Sequence, residues 1–310
     1  MGGTAFIFPG QGAQYIGMGR QISREFRSAA DIFDQASDAL GVDMRKMVFE
    51  GDEEILKITE NTQPAILTVS IACLQPVLER GIRPDFAAGL SLGEYTAHVA
   101  SGAMAFKDAV ALVRKRGKYM QEAVPLGAGT MAAILGLSAD DVIDCCRAAS
   151  GYGIVGPANF NCPGQTVVAG EVKAVEKMIE LAKEKGAKRS MLLPVSAPFH
   201  CSLLKPAGEK LAAELEKIEL REMEIPVVSN VTAGIVDSIS DIKDLLIKQV
   251  SSPVRWEESI AAMLEKGVDT FVEIGPGKVL SGFVKKISRE ARVFNIEDID
   301  SLNRTLNEIE

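Results

Sequence analysis

Asp85-Phe86-Ala87-Ala88-Gly89-Leu90-Ser91-Leu92-Gly93-Glu94-Tyr95 decides how this chain folds. Phe86-Ala87-Ala88 supplies an apolar, buried strand end, and residues 94–101 have helical character until Gly102 stops them. Between the two lies Gly89-Leu90-Ser91-Leu92-Gly93, a G-x-S-x-G pentapeptide. Its glycines permit a tight strand-to-helix turn that lifts the serine hydroxyl clear of its neighbours. The new helix then aims backbone N–H groups at developing negative charge. The pattern alone also occurs in ordinary glycine-flanked turns. With a strand before it and a helix after it, Ser91 is the candidate nucleophile and the chain is α/β.

Working outward, further strands are expected over 4–8, 226–230 and 270–274, and helices over 20–40, 63–80, 107–124, 242–250 and 254–265. Residues 128–196 have a different rhythm. A strand over 130–137 precedes Ser138-x-x-Asp141, a capping-box start for a helix to residue 149. Strands over 153–160 and 165–169 flank the turn Asn161-Cys162-Pro163-Gly164, and a helix over 172–185 leads to a strand over 188–195. The order β-α-β-β-α-β is ferredoxin-like. The expected architecture is a large α/β-hydrolase-like domain with a mostly parallel sheet, residues 1–127 and 197–310, and a small inserted ferredoxin-like α+β domain, residues 128–196.

Composition narrows the function classes. The 310 residues are 47% hydrophobic and 25% charged, ordinary for a soluble enzyme, and the net charge of −8 argues against a broad nucleic-acid surface. Apolar runs such as 65–74 and 99–104 are too short or interrupted to span a bilayer. The chain enters its first strand without a basic region or cleavage site, so no secretory signal is expected, and position six is Phe6 where myristoylation needs Ser or Thr. Cys73, Cys145, Cys146, Cys162 and Cys201 are odd in number, with no C-x-x-C pair. Idle thiols in a reducing cytoplasm, with no metal and no cofactor, are the expectation. A dinucleotide fingerprint starting at Gly10 would need glycine where Tyr15 stands. Gly275-Pro276-Gly277-Lys278 lacks phosphate-loop spacing and reads as a tight turn.

A nucleophilic serine needs a base, and the chain has two histidines, His98 and His200. His98 lies seven residues after Ser91 on the same expected helix, ~10 Å along its axis and beyond the ~3 Å of proton transfer. That leaves His200, in the proline-flanked segment Pro194-Val195-Ser196-Ala197-Pro198-Phe199-His200, at the expected junction of the two domains. No acidic residue stands in an obvious loop between Ser91 and His200, unlike the α/β-hydrolase order. A backbone carbonyl is one candidate to orient the imidazole.

Taken together, these residues resemble the malonyl-CoA:acyl carrier protein transacylases and the acyltransferase domains of fatty acid and polyketide synthases. The resemblance covers essentially the whole chain. It rests on Phe8-Pro9-Gly10-Gln11-Gly12-Ala13-Gln14, the elbow with Glu94-Tyr95, Arg114-Lys115-Arg116-Gly117, Asn159-Phe160-Asn161-Cys162-Pro163-Gly164-Gln165, Pro198-Phe199-His200 and Glu273-Ile274-Gly275-Pro276-Gly277. It implies a Ser91–His200 dyad, an oxyanion hole from the backbone N–H groups of Gln11 and Leu92, Arg116 as the ligand of a substrate carboxylate, and Gln249 beside the histidine. Phe199 matches the malonyl-selective form, and Leu90 departs from the family's usual histidine. The implied reaction is malonyl transfer from malonyl-CoA to acyl carrier protein in fatty acid synthesis. The protein itself is expected to be a cytoplasmic monomer bound to neither membrane nor nucleic acid. Lys115, Lys118, Lys285, Lys286 and Arg289 are candidates for a basic carrier-docking patch. A trans-acting polyketide acyltransferase, a serine thioesterase or hydrolase, and a non-catalytic carrier-binding subunit are the competing readings.

Overall fold

In the first strand, β1 (Gly3–Phe8), alternate side chains enter two different cores. Phe6 and Phe8 join the larger hydrophobic cluster, and Ala5 and Ile7 join a second one with Ala88, Val228, Trp256 and Phe271. A strand apolar on both faces belongs at the centre of a covered parallel sheet. The computed structural model, which describes residues 2–195 and 197–309, places it there. The expected boundary at Ser196 lies outside the described residues.

The remaining strands are β2 (Phe86–Gly89), β3 (Gly129–Leu135), β4 (Val155–Cys162), β5 (Gln165–Glu171), β6 (Arg189–Leu192), β7 (Val227–Val228), β8 (Val268–Ile274) and β9 (Arg292–Ile296). They form two sheets. One has the order β7-β2-β1-β8-β9, every pair parallel. The other has the antiparallel order β4-β5-β3-β6, which is the ferredoxin-like arrangement. The helices Ala139–Ala149 and Val172–Glu184 pack on this second sheet around Val142, Val175 and Met178. Ser138 caps the first of them by accepting the Asp141 N–H. The antiparallel sheet is tied to the segment before the helix Trp256–Glu265, where the Phe160 N–H donates to the Val254 carbonyl and the Val254 N–H donates to the Ala158 carbonyl.

Three expectations need adjustment. The helix expected over 20–40 is two, Arg20–Glu25 and Arg27–Leu40, because Phe26 adopts an extended conformation and turns its ring toward the core. The helix expected from residue 63 begins earlier and runs Thr59–Glu79, carrying Pro64 and Pro76 in its interior. The strand expected over 226–230 shortens to two residues, since Asn230 leaves the ladder to serve the elbow. Gly275 and Gly277 have positive φ, as the tight-turn reading requires, and the Gly277 N–H donates to Glu297. All five cysteines are free and buried. Among the described residues no helix is long and apolar enough to cross a membrane.

Candidate active site

Parallel pairing of β1 with β2 sets Phe8 beside Gly89, so the ends of both strands open toward the elbow. Ser91 takes φ 55° and ψ −103°, a conformation that non-glycine residues rarely adopt. Its neighbours explain how this is tolerated. A Cβ on Gly89 would overlap the Gly93 carbonyl, and one on Gly93 would overlap the carbonyl of Phe8. Only glycines let strand and helix close this tightly. Asn230 clamps the turn from across the sheet: its Oδ1 accepts the Ser91 N–H at 2.7 Å, and its Nδ2 donates to the Gly89 carbonyl at 2.7 Å. The helix Leu92–Ala100 then begins, with Leu92 in its first turn, where N–H groups have no intrahelical acceptor. The Leu90 side chain packs against the second hydrophobic cluster, which is what an apolar residue at that position does.

His200 also has positive φ, 59°, and is buried. Its Nε2 lies 2.7 Å from Ser91 Oγ, and its Nδ1 lies 2.9 Å from the backbone carbonyl of Gln249. A carbonyl can only accept, so Nδ1 carries the proton and Nε2 is the free acceptor facing the serine. Burial, reinforced by the Arg116 charge, lowers the His200 pKa to about 4 and keeps the imidazole neutral. The orienting group is therefore a backbone carbonyl, not a carboxylate.

Arg116 comes from the helix Phe106–Glu122 and is 1% exposed. Gly117 brings that helix against the Thr59 carbonyl, which a Cβ there would strike at 2.6 Å. Arg116 Nη1 donates to Gln63 Oε1 at 2.9 Å, and Nη2 donates to Gln249 Oε1 at 2.9 Å and to Ser91 Oγ at 3.1 Å. The guanidinium lies over the Tyr95 ring, 5.1 Å from its centroid. Every hydrogen-bond acceptor around it is neutral.

Ser91, His200, Arg116 and Gln249 thus form one hydrogen-bonded group. Gln11 and Leu92 flank it through their backbones. A Cβ on Gly10 would lie 2.5 Å from the Leu90 carbonyl, so the loop carrying Gln11 runs against the elbow, and the Gln11 side chain donates to Thr59 Oγ1 at 3.3 Å. Phe199 is buried in the larger hydrophobic cluster next to His200. His98 is buried on the elbow helix, away from the serine, and neither ring nitrogen has a hydrogen-bond partner. Of the basic candidates, Lys115 pairs with Glu214 at 2.7 Å, Lys118 lies 3.9 Å from Glu122, and Lys286 donates to Gln165 at 3.3 Å. Lys285 and Arg289 are exposed. Gln63, Glu94 and Asn230 belong to the site without having been singled out from sequence. Glu94 follows the serine within the quoted motif, whereas Asn230 sits 139 residues from Ser91 in the chain.

A family model described as acyl transferase domain matches residues 5–304. The chain belongs to this acyltransferase family. It is 50% identical over 303 residues to the malonyl CoA-acyl carrier protein transacylase of Bacillus subtilis strain 168, covering 97% of this chain and 96% of that one. The crystal structure of the malonyl CoA-acyl carrier protein transacylase of Clostridium perfringens superposes with a TM-score of 0.96 at 48% identity, over 99% of this chain and 97% of that one. A malonyl-transacylase in complex with its type II polyketide synthase acyl-carrier protein matches equally well, with a TM-score of 0.96 at 44% identity over 99% of both chains.

Proposed function

We propose that this acyltransferase moves a malonyl group from malonyl-CoA to the phosphopantetheine thiol of an acyl carrier protein, through a malonyl ester on Ser91. One observation carries the reading: the Arg116 guanidinium reaches within 3.1 Å of Ser91 Oγ while buried among neutral acceptors. A malonyl group bound to the serine carries its free carboxylate one methylene from the ester carbon. Arginine's planar fork takes such a carboxylate through two charge-assisted hydrogen bonds, whereas an acetyl group leaves the cation unpaired.

The chemistry runs in two halves. Ser91 Oγ attacks the thioester carbon as its proton passes to His200 Nε2, and the Gln11 and Leu92 amides hold the oxyanion. The C–S bond then breaks, and coenzyme A leaves with the proton returned by His200. In the second half the carrier thiol gives its proton to His200 and attacks malonyl-Ser91; the ester C–O bond then breaks, and His200 returns the proton to Ser91 Oγ. The proposal calls on Ser91, His200, Arg116, the Gln11 and Leu92 amides, the malonyl thioester and the acceptor thiol. In this proposal residues 1–127 and 197–310 form the catalytic domain and 128–196 the small one, the protein works as a monomer, and the product feeds fatty acid elongation. The carrier-complexed relative supports the choice of acceptor.

Incubation with malonyl-CoA is expected to add one malonyl mass to Ser91, visible in the intact protein and absent from Ser91→Ala. The ester should outlast mixing with buffer and disappear on adding a carrier thiol. Wild-type protein that gains no mass, or an ester lost to water as fast as to thiol, would overturn the transferase reading. Arg116→Ala should reduce malonyl transfer by on the order of 3 kcal/mol in activation free energy and acetyl transfer far less. Equal losses would remove Arg116 as the selector.

A further inference from the structure

The amide of Gln249 has two jobs that demand opposite ends. Its Oε1 accepts from Arg116, and its Nε2 donates to the Ser91 carbonyl at 2.9 Å and to Glu94 Oε2. Turned over, it would set NH2 against the guanidinium and an oxygen against both the Ser91 carbonyl and the Glu94 carboxyl. Glu94 is the third residue after Ser91, on the elbow helix, and is fully buried. The same Oε2 accepts the backbone N–H of Asn230 at 3.2 Å, the residue whose side chain clamps the serine turn. One carboxyl oxygen therefore ties the helix of the nucleophile to the two residues that hold the nucleophile and the arginine. Gln249 also offers its backbone carbonyl to His200, so its placement reaches the base as well.

We propose that Glu94 is a positioning residue for acyl-group selection: by accepting from Gln249 Nε2 it fixes the Gln249 amide with Oε1 toward Arg116, and so aims the guanidinium at the acyl site. This inference rests on the reading of Arg116 as the ligand of the malonyl carboxylate. Burial of Glu94 is costly for a charge, and desolvation raises its pKa to about 7 despite the hydrogen bonds it accepts. A side chain retained at that cost and committed by hydrogen bonds to the site residues suits a geometric role. What matters is the acceptor at the right reach, and the charge is incidental.

Two mild substitutions separate reach from charge. Glu94→Gln keeps an acceptor oxygen at the same distance without the charge. Glu94→Asp keeps the charge but withdraws the acceptor by one methylene. The measurement is the second-order rate of Ser91 acylation by malonyl-CoA and by acetyl-CoA, followed by intact mass, on protein shown to be folded by thermal melting. Glu94→Asp is expected to lower the malonyl-to-acetyl rate ratio about tenfold or more, the scale of one lost hydrogen bond to a charged group. Glu94→Gln should retain the ratio within about threefold. Loss of the ratio in Glu94→Gln with retention in Glu94→Asp would overturn the proposal in favour of a charge effect. Equal decline for both donors in Glu94→Asp, or no change in either variant, would reduce Glu94 to a structural residue. Should Glu94→Asp not fold, Glu94→Ala, which removes the acceptor outright, takes its place with the same expected loss of the ratio, and a collapsed ratio in Glu94→Gln is by itself incompatible with the proposal. Wild-type protein unreactive toward malonyl-CoA would instead remove the reading of the site on which this one rests.

Discussion

The proposed base, His200, must be neutral before it can take a proton, and two effects of known direction hold it so. Burial disfavours the imidazolium, and the Arg116 cation beside it adds to that, bringing the pKa to about 4 from the usual 6.5. The acid limb of the acylation rate reports this group in the free enzyme. With acetyl-CoA as donor, which does not require Arg116 to bind a carboxylate, the wild-type rate should stay high as pH falls through 6.5 and reach half its plateau near pH 4. Removing the Arg116 charge favours the imidazolium, so in Arg116→Met the half-point should move upward. Stopped-flow acylation across pH 4–8, read within seconds of mixing, measures both. A wild-type half-point at 6.5, or one that Arg116→Met leaves in place, would show that the arginine does not tune the base.

Helices in this molecule meet the site through glycines, and two helical glycines predict opposite outcomes for the same substitution. Gly117 lies inside the helix Phe106–Glu122 against the Thr59 backbone, and that close approach sets the position of Arg116. A methyl group there must push two helices apart, so Gly117→Ala should cost roughly 1–3 kcal/mol and weaken malonyl selectivity with it. Gly282, inside Val279–Ile287, has open space where a Cβ would go. Gly282→Ala should stabilise by about 0.5–1 kcal/mol, because alanine restricts the unfolded chain and favours helix. Urea unfolding of both variants checks the pair, and a shared sign would refute the packing argument. The elbow was legible in sequence because local spacing encodes it: period and glycine placement announce strand, turn and helix. So was the β-α-β-β-α-β order, whose sheet the structure completes as β4-β5-β3-β6. Arg116 was marked only by the family resemblance, since by itself it is one charge in a basic helical run. The clamp by Asn230 was not legible. It depends on a two-residue strand, β7, too short to show alternation, reaching the elbow across 139 residues of sequence. Nor could periodicity reveal the break at Phe26, which tertiary packing imposes on an otherwise continuous helical pattern.

Across the whole molecule, four buried titratable groups oppose one another in pairs. His98 and His200 both have pKa values lowered to about 4 by burial. Between pH 4 and 6.5 the unfolded chain binds these protons and the folded one does not, so their contribution to stability falls as pH is lowered through that window. Glu94 and Glu273 are raised to about 7 by burial, Glu273 while accepting the N–H groups of Leu280 and Ser281 at the start of a helix. Between about pH 4.5 and 7 the folded chain holds protons that the unfolded one releases, so their contribution falls as pH rises. The two effects overlap from pH 4.5 to 6.5 with opposite slopes, and the contribution of these four groups should be nearly flat there. Removing one histidine unmasks the glutamates. His98 is the one to remove, since it lies outside the hydrogen-bonded group of the site and neither ring nitrogen is hydrogen-bonded. His98→Leu should be more stable than wild type at pH 5, because it no longer forgoes a proton there, and its stability should decline more steeply between pH 5 and 6.5. Urea unfolding free energies at pH 5, 5.75 and 6.5 test this directly. Identical pH slopes in the two proteins would mean that His98 titrates in the folded state as it does in water, and that its burial carries no proton-linked cost.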